Sequence, residues 1–468
     1  MKKYLLLFVA VVMVFCLAAC GGTEDPVDQN QDPGENIGEE TGDVEGGESL
    51  LGTEPVTITF WHCASDEAGV LMDKYIQDFN ETNEYNITVN AVYQGQYSDA
   101  TTLLNTILSA ENYGELPDVM QMDATGKVAY YDSGVAFTVD DAVAAYADDT
   151  FLSQYLEAAL SNWQYSGVQL GLPFATSTSV TYYNADLLAQ AGWDKAPETF
   201  AEVSALYADM QAAGMTQKVF QNVPNTPTLA NWLGQLGSYV VDNNNGADGT
   251  ASKLECIDNG ALATFLTEWK AMYASGALLN ENASADPFIA GDVVMMVGSS
   301  SSVTSNLERI GGAFEMGVSN YLRVNDEAAQ GATVSGSCLV MFDSQDALKK
   351  EASWAFLQYL TSADVQADFA AGTGYVPSNT ASVDSESYQA LLAEYPQYQV
   401  AMDQLLATPA DMRSVTVGPS TDFYYAIMQC CSDMLEYDQT VEETVETMND
   451  ELTLLLEEYI RNNPGDGE

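Results

Sequence analysis

Between residues 56 and 122 the sequence switches repeatedly between strand-like and helix-like apolar spacing, and this alternation restricts the fold more than any other feature. Val56-Thr57-Ile58-Thr59-Phe60-Trp61 has the two-residue period of a strand. Residues 68–79 put Val70, Leu71, Tyr75, Ile76 and Phe79 at helical spacing. Residues 87–92 return to a strand, 99–110 to a helix and 118–122 to a third strand. A chain that changes period at this pace predicts a mainly parallel α/β sheet with helical crossovers. Functional groups in such sheets gather beyond the carboxyl ends of the strands. Those ends are Trp61-His62, residues 93–97 and Asp123-Ala124-Thr125-Gly126.

Further along, Leu170-Gly171-Leu172-Pro173-Phe174 interrupts the pattern, and a strand is predicted from Val180 to Tyr183. Several helices fill roughly 185–290, and an apolar strand, Val293 to Val297, runs into Gly298-Ser299-Ser300-Ser301-Ser302. A strand pair and a helix follow near 314–360. Thr440 and Glu443 have the spacing of a capping box, which opens a last amphipathic helix through Ile460. With 468 residues, 47% of them apolar, the chain exceeds what one growing core accommodates, so two lobes are expected.

The N-terminus has a different logic. Met1-Lys2-Lys3 precedes an uncharged run from Tyr4 to Ala19, ending in Leu17-Ala18-Ala19-Cys20-Gly21. Positive charge, a short apolar stretch and small residues before a cut make residues 1–19 an export signal. The run is shorter than the roughly 20 residues a membrane-spanning helix needs. A cysteine directly after Leu-Ala-Ala is the bacterial lipobox, so Cys20 is expected to carry a diacylglyceryl thioether that tethers the chain by about 0.8 kcal/mol per buried methylene. Residues 21–54 hold eleven Asp or Glu, no Lys or Arg and no aromatic residue. Such a stretch cannot bury enough apolar surface to offset its chain entropy, so residues 20–54 read as a disordered acidic spacer.

The 68 acidic residues against 14 basic ones, a formal net charge of −54, argue against nucleic acid, which demands a basic footprint. Cys63, Cys256, Cys338, Cys430 and Cys431 form no C-x-x-C pair; a strained bond between Cys430 and Cys431 is the alternative to buried free thiols. His62 is the only histidine and, beside Trp61 at a strand end, reads as a scaffold residue. One histidine and no spaced cysteine cluster argue against zinc, so no metal and no cofactor is expected.

Five segments then match a family in order: Phe60-Trp61-His62, residues 93–97 (Tyr-Gln-Gly-Gln-Tyr), residues 172–184 (Leu-Pro-Phe through Tyr-Tyr-Asn), residues 354–360 and Thr373-Gly374-Tyr375-Val376-Pro377. Over about 56–460 the chain resembles the family 1 extracellular solute-binding proteins of ABC importers, in the branch holding glycerol-3-phosphate and sugar receptors. The resemblance implies an α/β, two-lobed clamp of the type II, maltose-binding-protein-like form, joined by hinge strands. It implies lobe 1 over 56–172 plus 318–360 and lobe 2 over 173–317 plus 361–460, with crossings near Leu172-Pro173, Gly317-Val318 and Leu360-Thr361. It implies a lipid-anchored monomeric receptor on the outer face of the cytoplasmic membrane, with ABC permease subunits as partners and no catalytic residue.

The same resemblance carries site residues over. Tyr97 and Tyr375 take the positions of pocket-lining tyrosines, Ser177 and Ser299 or Ser300 those of hydroxyl-bearing residues, and Gly336 that of a glycine whose backbone meets ligand. Two positions depart from the phosphoglycerol branch. Ala124, beside Asp123, stands where that branch has Glu, and Tyr424, closing the 418–424 segment, stands where it has Arg. Without a guanidinium fork phosphate loses its bidentate anchor; Arg413, expected at the surface, is the nearest substitute. Asp123, Trp61, Trp232 and Tyr424 suit a neutral polyol, carboxylate to hydroxyl and ring to sugar face. The expected ligand is therefore a carbohydrate, with glycerol 3-phosphate or a glycerophosphodiester as the alternative. From another class, an anchored glycoside hydrolase would need two carboxylates across a scissile bond, which so many acidic residues cannot discriminate. No Gly-x-Ser-x-Gly, His-Glu-x-x-His or P-loop motif is present.

Overall fold

The computed structural model describes residues 49–409 and 411–463. The expected export signal, Cys20 and most of the expected acidic spacer lie outside the described residues. Twelve strands follow in order: β1 (Val56–His62), β2 (Ile87–Tyr93), β3 (Val119–Met122), β4 (Ala136–Phe137), β5 (Gln164–Tyr165), β6 (Val168–Gln169), β7 (Leu172–Asn184), β8 (Lys218–Gln221), β9 (Leu278–Leu279), β10 (Val293–Ser299), β11 (Met316–Ser319) and β12 (Val334–Phe342). Ten of them join one sheet in the order β2-β1-β3-β12-β7-β10-β8-β9, with β4 on β12 and β11 on β7; β5 and β6 form a separate hairpin.

The expectation of a mainly parallel sheet holds only toward the two ends. β1 pairs parallel with β2 and β3, and β8 pairs parallel with β9 and β10. The central pairs β3–β12, β12–β7 and β7–β10 are antiparallel. The sheet is therefore mixed, because β7 and β12 are long strands that run from one half of it into the other. β7 pairs with β12 over its first residues and with β10 and β11 over its last. Each half is covered on both faces. Ile58, Phe60, Leu339 and Met341 pack with Trp354 and Phe356, while Trp61, Met120, Cys338 and Val340 pack on the opposite face. In the other half Met295 and Val297 join Phe200, Trp232 and Trp269, while Met296, between them, joins Val180, Tyr182, Tyr388 and Tyr398. The two-residue side-chain period of the strands produces this division.

Three expectations change in detail. Leu170–Phe174 does not break the pattern: the strand predicted from Val180 is the second part of β7, which is 13 residues long. The crossing expected at Gly317-Val318 falls inside β11, and Tyr321, Leu322 and Val324 pack with Trp232 in the second half. The chain passes between halves along β12 instead, where Val334 packs with Tyr182 and Cys338 with Trp61. Last, residues at the end of the acidic stretch are docked rather than disordered. Ser49 Oγ and the Leu50 amide both donate to the Glu351 carboxylate, at 2.6 and 2.8 Å, and Leu51 packs beside the first core.

Three other readings agree with the structure: the last capping box, the buried free thiols and the buried placing of His62. The capping box opens the helix Val441–Asn462, with Thr440 Oγ1 accepting from the Glu443 amide and the Glu443 carboxylate accepting from Thr440. The five cysteines are free thiols, all buried. His62 is buried, its ring stacked on Phe60 at 5.6 Å, and desolvation lowers its pKa. Among the described residues no metal-holding cluster is found and no helix is long and apolar enough to cross a membrane.

Candidate functional site

The carboxyl ends of three strands open onto two adjoining chambers. Beyond β3, Asp123 accepts from the Thr125 amide at 3.1 Å and from Thr125 Oγ1 at 2.5 Å, which fixes the carboxylate at the start of a short 3-10 turn. Asp123 lines a chamber of about 420 Å³ together with Asn162, Thr226, Gly336, Thr416 and Tyr424. Burial raises the Asp123 pKa, partly offset by the Thr125 bonds. A smaller chamber of about 130 Å³ lies against the ends of β8 and β10, walled by Asn222, Asn225, Ser177 and Ser299. Ser335, at the start of β12, borders both chambers. Among the described residues neither wall contains a lysine, arginine or histidine.

Between the chambers begins the helix Thr226–Gln235. Its N-cap Asn225 accepts from the Thr228 amide at 3.1 Å, Thr228 Oγ1 accepts from the Asn225 amide at 2.8 Å, and Pro227 has no amide hydrogen. Asn225 Nδ2 also donates to the Tyr424 hydroxyl at 3.2 Å, which turns that phenol toward the larger chamber. Gly336 has φ +113° and an added Cβ would lie 1.7 Å from the Ala175 carbonyl oxygen, so only glycine lets β12 pass β7 this closely.

Of the residues read from sequence, Asp123, Gly336 and Tyr424 thus meet at the larger chamber, and Ser177 and Ser299 at the smaller. Burial raises the Tyr97 pKa and the nearby Tyr375 adds to the rise, but neither tyrosine is among the residues walling the two chambers. The Tyr97 hydroxyl accepts from Gln121 Nε2 at 2.9 Å, and the Tyr375 ring stacks on Phe369 at 5.7 Å. Three residues prove structural. Trp61 is buried among Met120, Met122 and Cys338. Trp232 has no exposed surface: it stacks on Phe265 at 5.3 Å and donates Nε1–H to the Leu322 carbonyl at 3.0 Å. Ser300 is likewise enclosed and accepts from the Thr178 amide at 3.2 Å. Aromatic and hydroxyl side chains look the same in sequence whether they face a cavity or a core.

Arg413, expected at the surface, is half buried behind the chamber-lining Ser414, with its Nε unpaired. Lys127 was not singled out in the sequence. It is 3% exposed, forms no ion pair among the described residues, and donates to the carbonyl of the chamber residue Asn162 at 2.9 Å. Burial lowers its pKa to about 8, and the Arg413 charge adds to the fall. Asn222 also escaped the sequence reading, although it follows a strand end.

The pattern is that of a known family model, the bacterial extracellular solute-binding proteins, which matches residues 74–397. The chain belongs to this family. It is a solute-binding receptor of an ABC importer, of a kind that takes a small-molecule ligand outside the cytoplasm and delivers it to a permease. The chain is 27% identical over 362 residues to the sn-glycerol-3-phosphate-binding periplasmic protein UgpB of Yersinia pestis bv. Antiqua (strain Antiqua), covering 75% of this chain and 81% of that one. The cyclic alpha-maltosyl-1,6-maltose binding protein of Arthrobacter globiformis superposes with a TM-score of 0.73 at 18% identity, over 86% of this chain and 99% of that one. UgpB from Mycobacterium tuberculosis, in complex with glycerophosphocholine, superposes with a TM-score of 0.70 at 20% identity, over 87% and 100%. The receptor therefore has the maltose-binding-protein-like fold that the sequence segments pointed to.

Proposed function

We propose that this receptor captures a neutral carbohydrate, a mono- or oligosaccharide, between two lobes formed by the two halves of its sheet. The observation that carries this reading is the composition of the chamber walls. Among the described residues they present hydroxyls, amides, one carboxylate at Asp123 and the phenols of Tyr424 and Tyr425, and no cationic side chain. Sugars need that mixture: acceptors and donors for hydroxyls, and an aromatic face for C–H groups. Asp123, Gly336 and Tyr424 would hold the ligand in the larger chamber, Ser177 and Ser299 in the smaller. The hinge would run along β7 and β12 and past Leu360. The lipid at Cys20 and the acidic spacer would keep a monomeric receptor close to its permease, raising the effective concentration at the transporter. The protein acts by binding and has no catalytic step of its own.

A second reading, glycerol 3-phosphate or its diesters, is favoured by the name of the sequence relative and by the half-buried, unpaired Arg413 Nε beside the chamber. A thermal-shift screen separates them. A ligand at 100 times its Kd stabilises by about 2.7 kcal/mol. Stabilisation by a sugar supports the proposal, and stabilisation by glycerol phosphate alone overturns it. Breakdown products from oligosaccharides incubated with the protein would overturn the receptor-only reading.

A further inference from the structure

Most buried polar atoms in a folded protein find a hydrogen-bond partner, so those that do not are worth locating. Three of the residues with such atoms wall the chambers: Asn222, Thr226 and Thr416. Asn222 is the extreme case. It has no exposed surface, and among the described residues both its Nδ2 and its Oδ1 lack any partner. Its neighbours in the chain are placed by other bonds. Gln221 Nε2 donates to the Asn282 carbonyl at 2.8 Å, and the Asn222 amide donates to the Leu279 carbonyl at 3.2 Å. The backbone is thus fixed by the β8–β9 pairing while the carboxamide is left with two donors and an acceptor unused, against the 130 Å³ chamber.

We propose that Asn222 is the specificity-determining residue of the smaller chamber, where its carboxamide both donates to and accepts from hydroxyl groups at one end of the ligand. This inference rests on the carbohydrate reading of the site. A carboxamide suits a hydroxyl pair, since each hydroxyl offers both a donor and acceptor lone pairs. An anionic end fits poorly. Among the described residues the chamber wall has no cation, and the helix start beside it has little to offer an anion: Asn225 and Thr228 cap each other and Pro227 has no amide hydrogen, which leaves the Thr226 amide. The usual anion-binding capacity of a helix N-terminus is therefore reduced here. An isosteric leucine would remove the unpaired atoms without creating a void, so it separates binding from folding.

The test is thermal unfolding of the purified protein and of Asn222→Leu, each alone and with D-glucose, maltose, maltotriose, xylitol or sn-glycerol 3-phosphate. The expected result is that ligand-free Asn222→Leu melts no lower than the parent, while a neutral sugar or polyol that stabilises the parent binds the variant roughly ten- to a hundredfold more weakly. Unchanged affinity for that sugar overturns the role of Asn222 and leaves the carbohydrate reading standing. A lower melting temperature of the ligand-free variant also overturns it, because Asn222 would then be bonded within the fold. If only glycerol phosphate stabilises the parent, the neutral-ligand reading fails; loss of that stabilisation in Asn222→Leu would still support Asn222 as a ligand group, and its retention would overturn that too. If nothing on the panel stabilises the parent, the ligand-free comparison decides: a melting temperature for the variant no lower than the parent's supports the inference and a lower one overturns it.

Discussion

Lys127 offers the most quantitative consequence of the structure. A lysine in water keeps its proton to its ordinary value of 10.5, whereas burial beneath the Asp123–Gly126 turn lowers Lys127 to about 8. At 1.36 kcal/mol per pH unit the folded state is destabilised by about 3 kcal/mol while the ammonium stays charged. The sign follows from proton counting. Between pH 8 and 10.5 the unfolded chain binds the proton that the folded chain has released, so stability rises with pH across that window. Below pH 8 both states are protonated and the full penalty remains. Replacing Lys127 by methionine keeps the apolar stem and removes the charge, so the variant lacks this rise. Urea unfolding of both proteins from pH 7 to pH 10 measures it. Tyrosine ionisation cancels in the difference. The parent should gain about 2.5 kcal/mol on the variant across that range, most of the penalty. Parallel stability curves would refute the reasoning and mean that Lys127 is hydrated or paired with an anion.

Other outcomes follow from the same geometry. Gly336→Ala drives a Cβ into the Ala175 carbonyl at a φ of +113°, so it should lower stability by about 1–3 kcal/mol and weaken sugar binding together; intact affinity would place the ligand away from β12. Tyr424→Ala should weaken binding by about 1–3 kcal/mol with little change in melting temperature, as isothermal titration and thermal unfolding would report. Trp232→Ala should do the reverse, losing about 3–5 kcal/mol of stability because its ring fills a core rather than a cavity. Cys63, Cys256 and Cys430, with thiols pushed up to about 12 by burial, should resist alkylation in the folded protein at pH 8 and react only after denaturation, read by mass spectrometry.

Much of the architecture was legible because β1, β2, β3 and the helices between them obey clean apolar periods. β7 was only half legible. Its centre, Thr176-Ser177-Thr178-Ser179, looks like a loop, yet Thr178 Oγ1 accepts from Gln404 Nε2 at 3.0 Å and so is satisfied inside the sheet. Those partners are more than two hundred residues away in the chain, beyond any local pattern. β8 is four residues long and begins with lysine, too short for its alternation to register. Missing it hid Asn222, since the strand-end rule works only where the strand is recognised. Ser177, Ser299 and Gly336 came through the family resemblance, Asp123 and Tyr424 through the two places that depart from it, and all five wall the chambers. Trp61 and Trp232 do not, because residue type alone cannot say which way a ring points. Lys127 lacked any signal: its neighbours in sequence are unremarkable, and its burial is created by Asn162 and the core packed behind it.

The account stands most directly on where the ligand lies. A crystal structure of the protein with the sugar that stabilises it best should show a sugar ring in the 420 Å³ chamber, a hydroxyl donating to Asp123, and Tyr424 against the ring. A ligand seated elsewhere, or a phosphate bound to Arg413 with Asp123 and Tyr424 untouched, would contradict it.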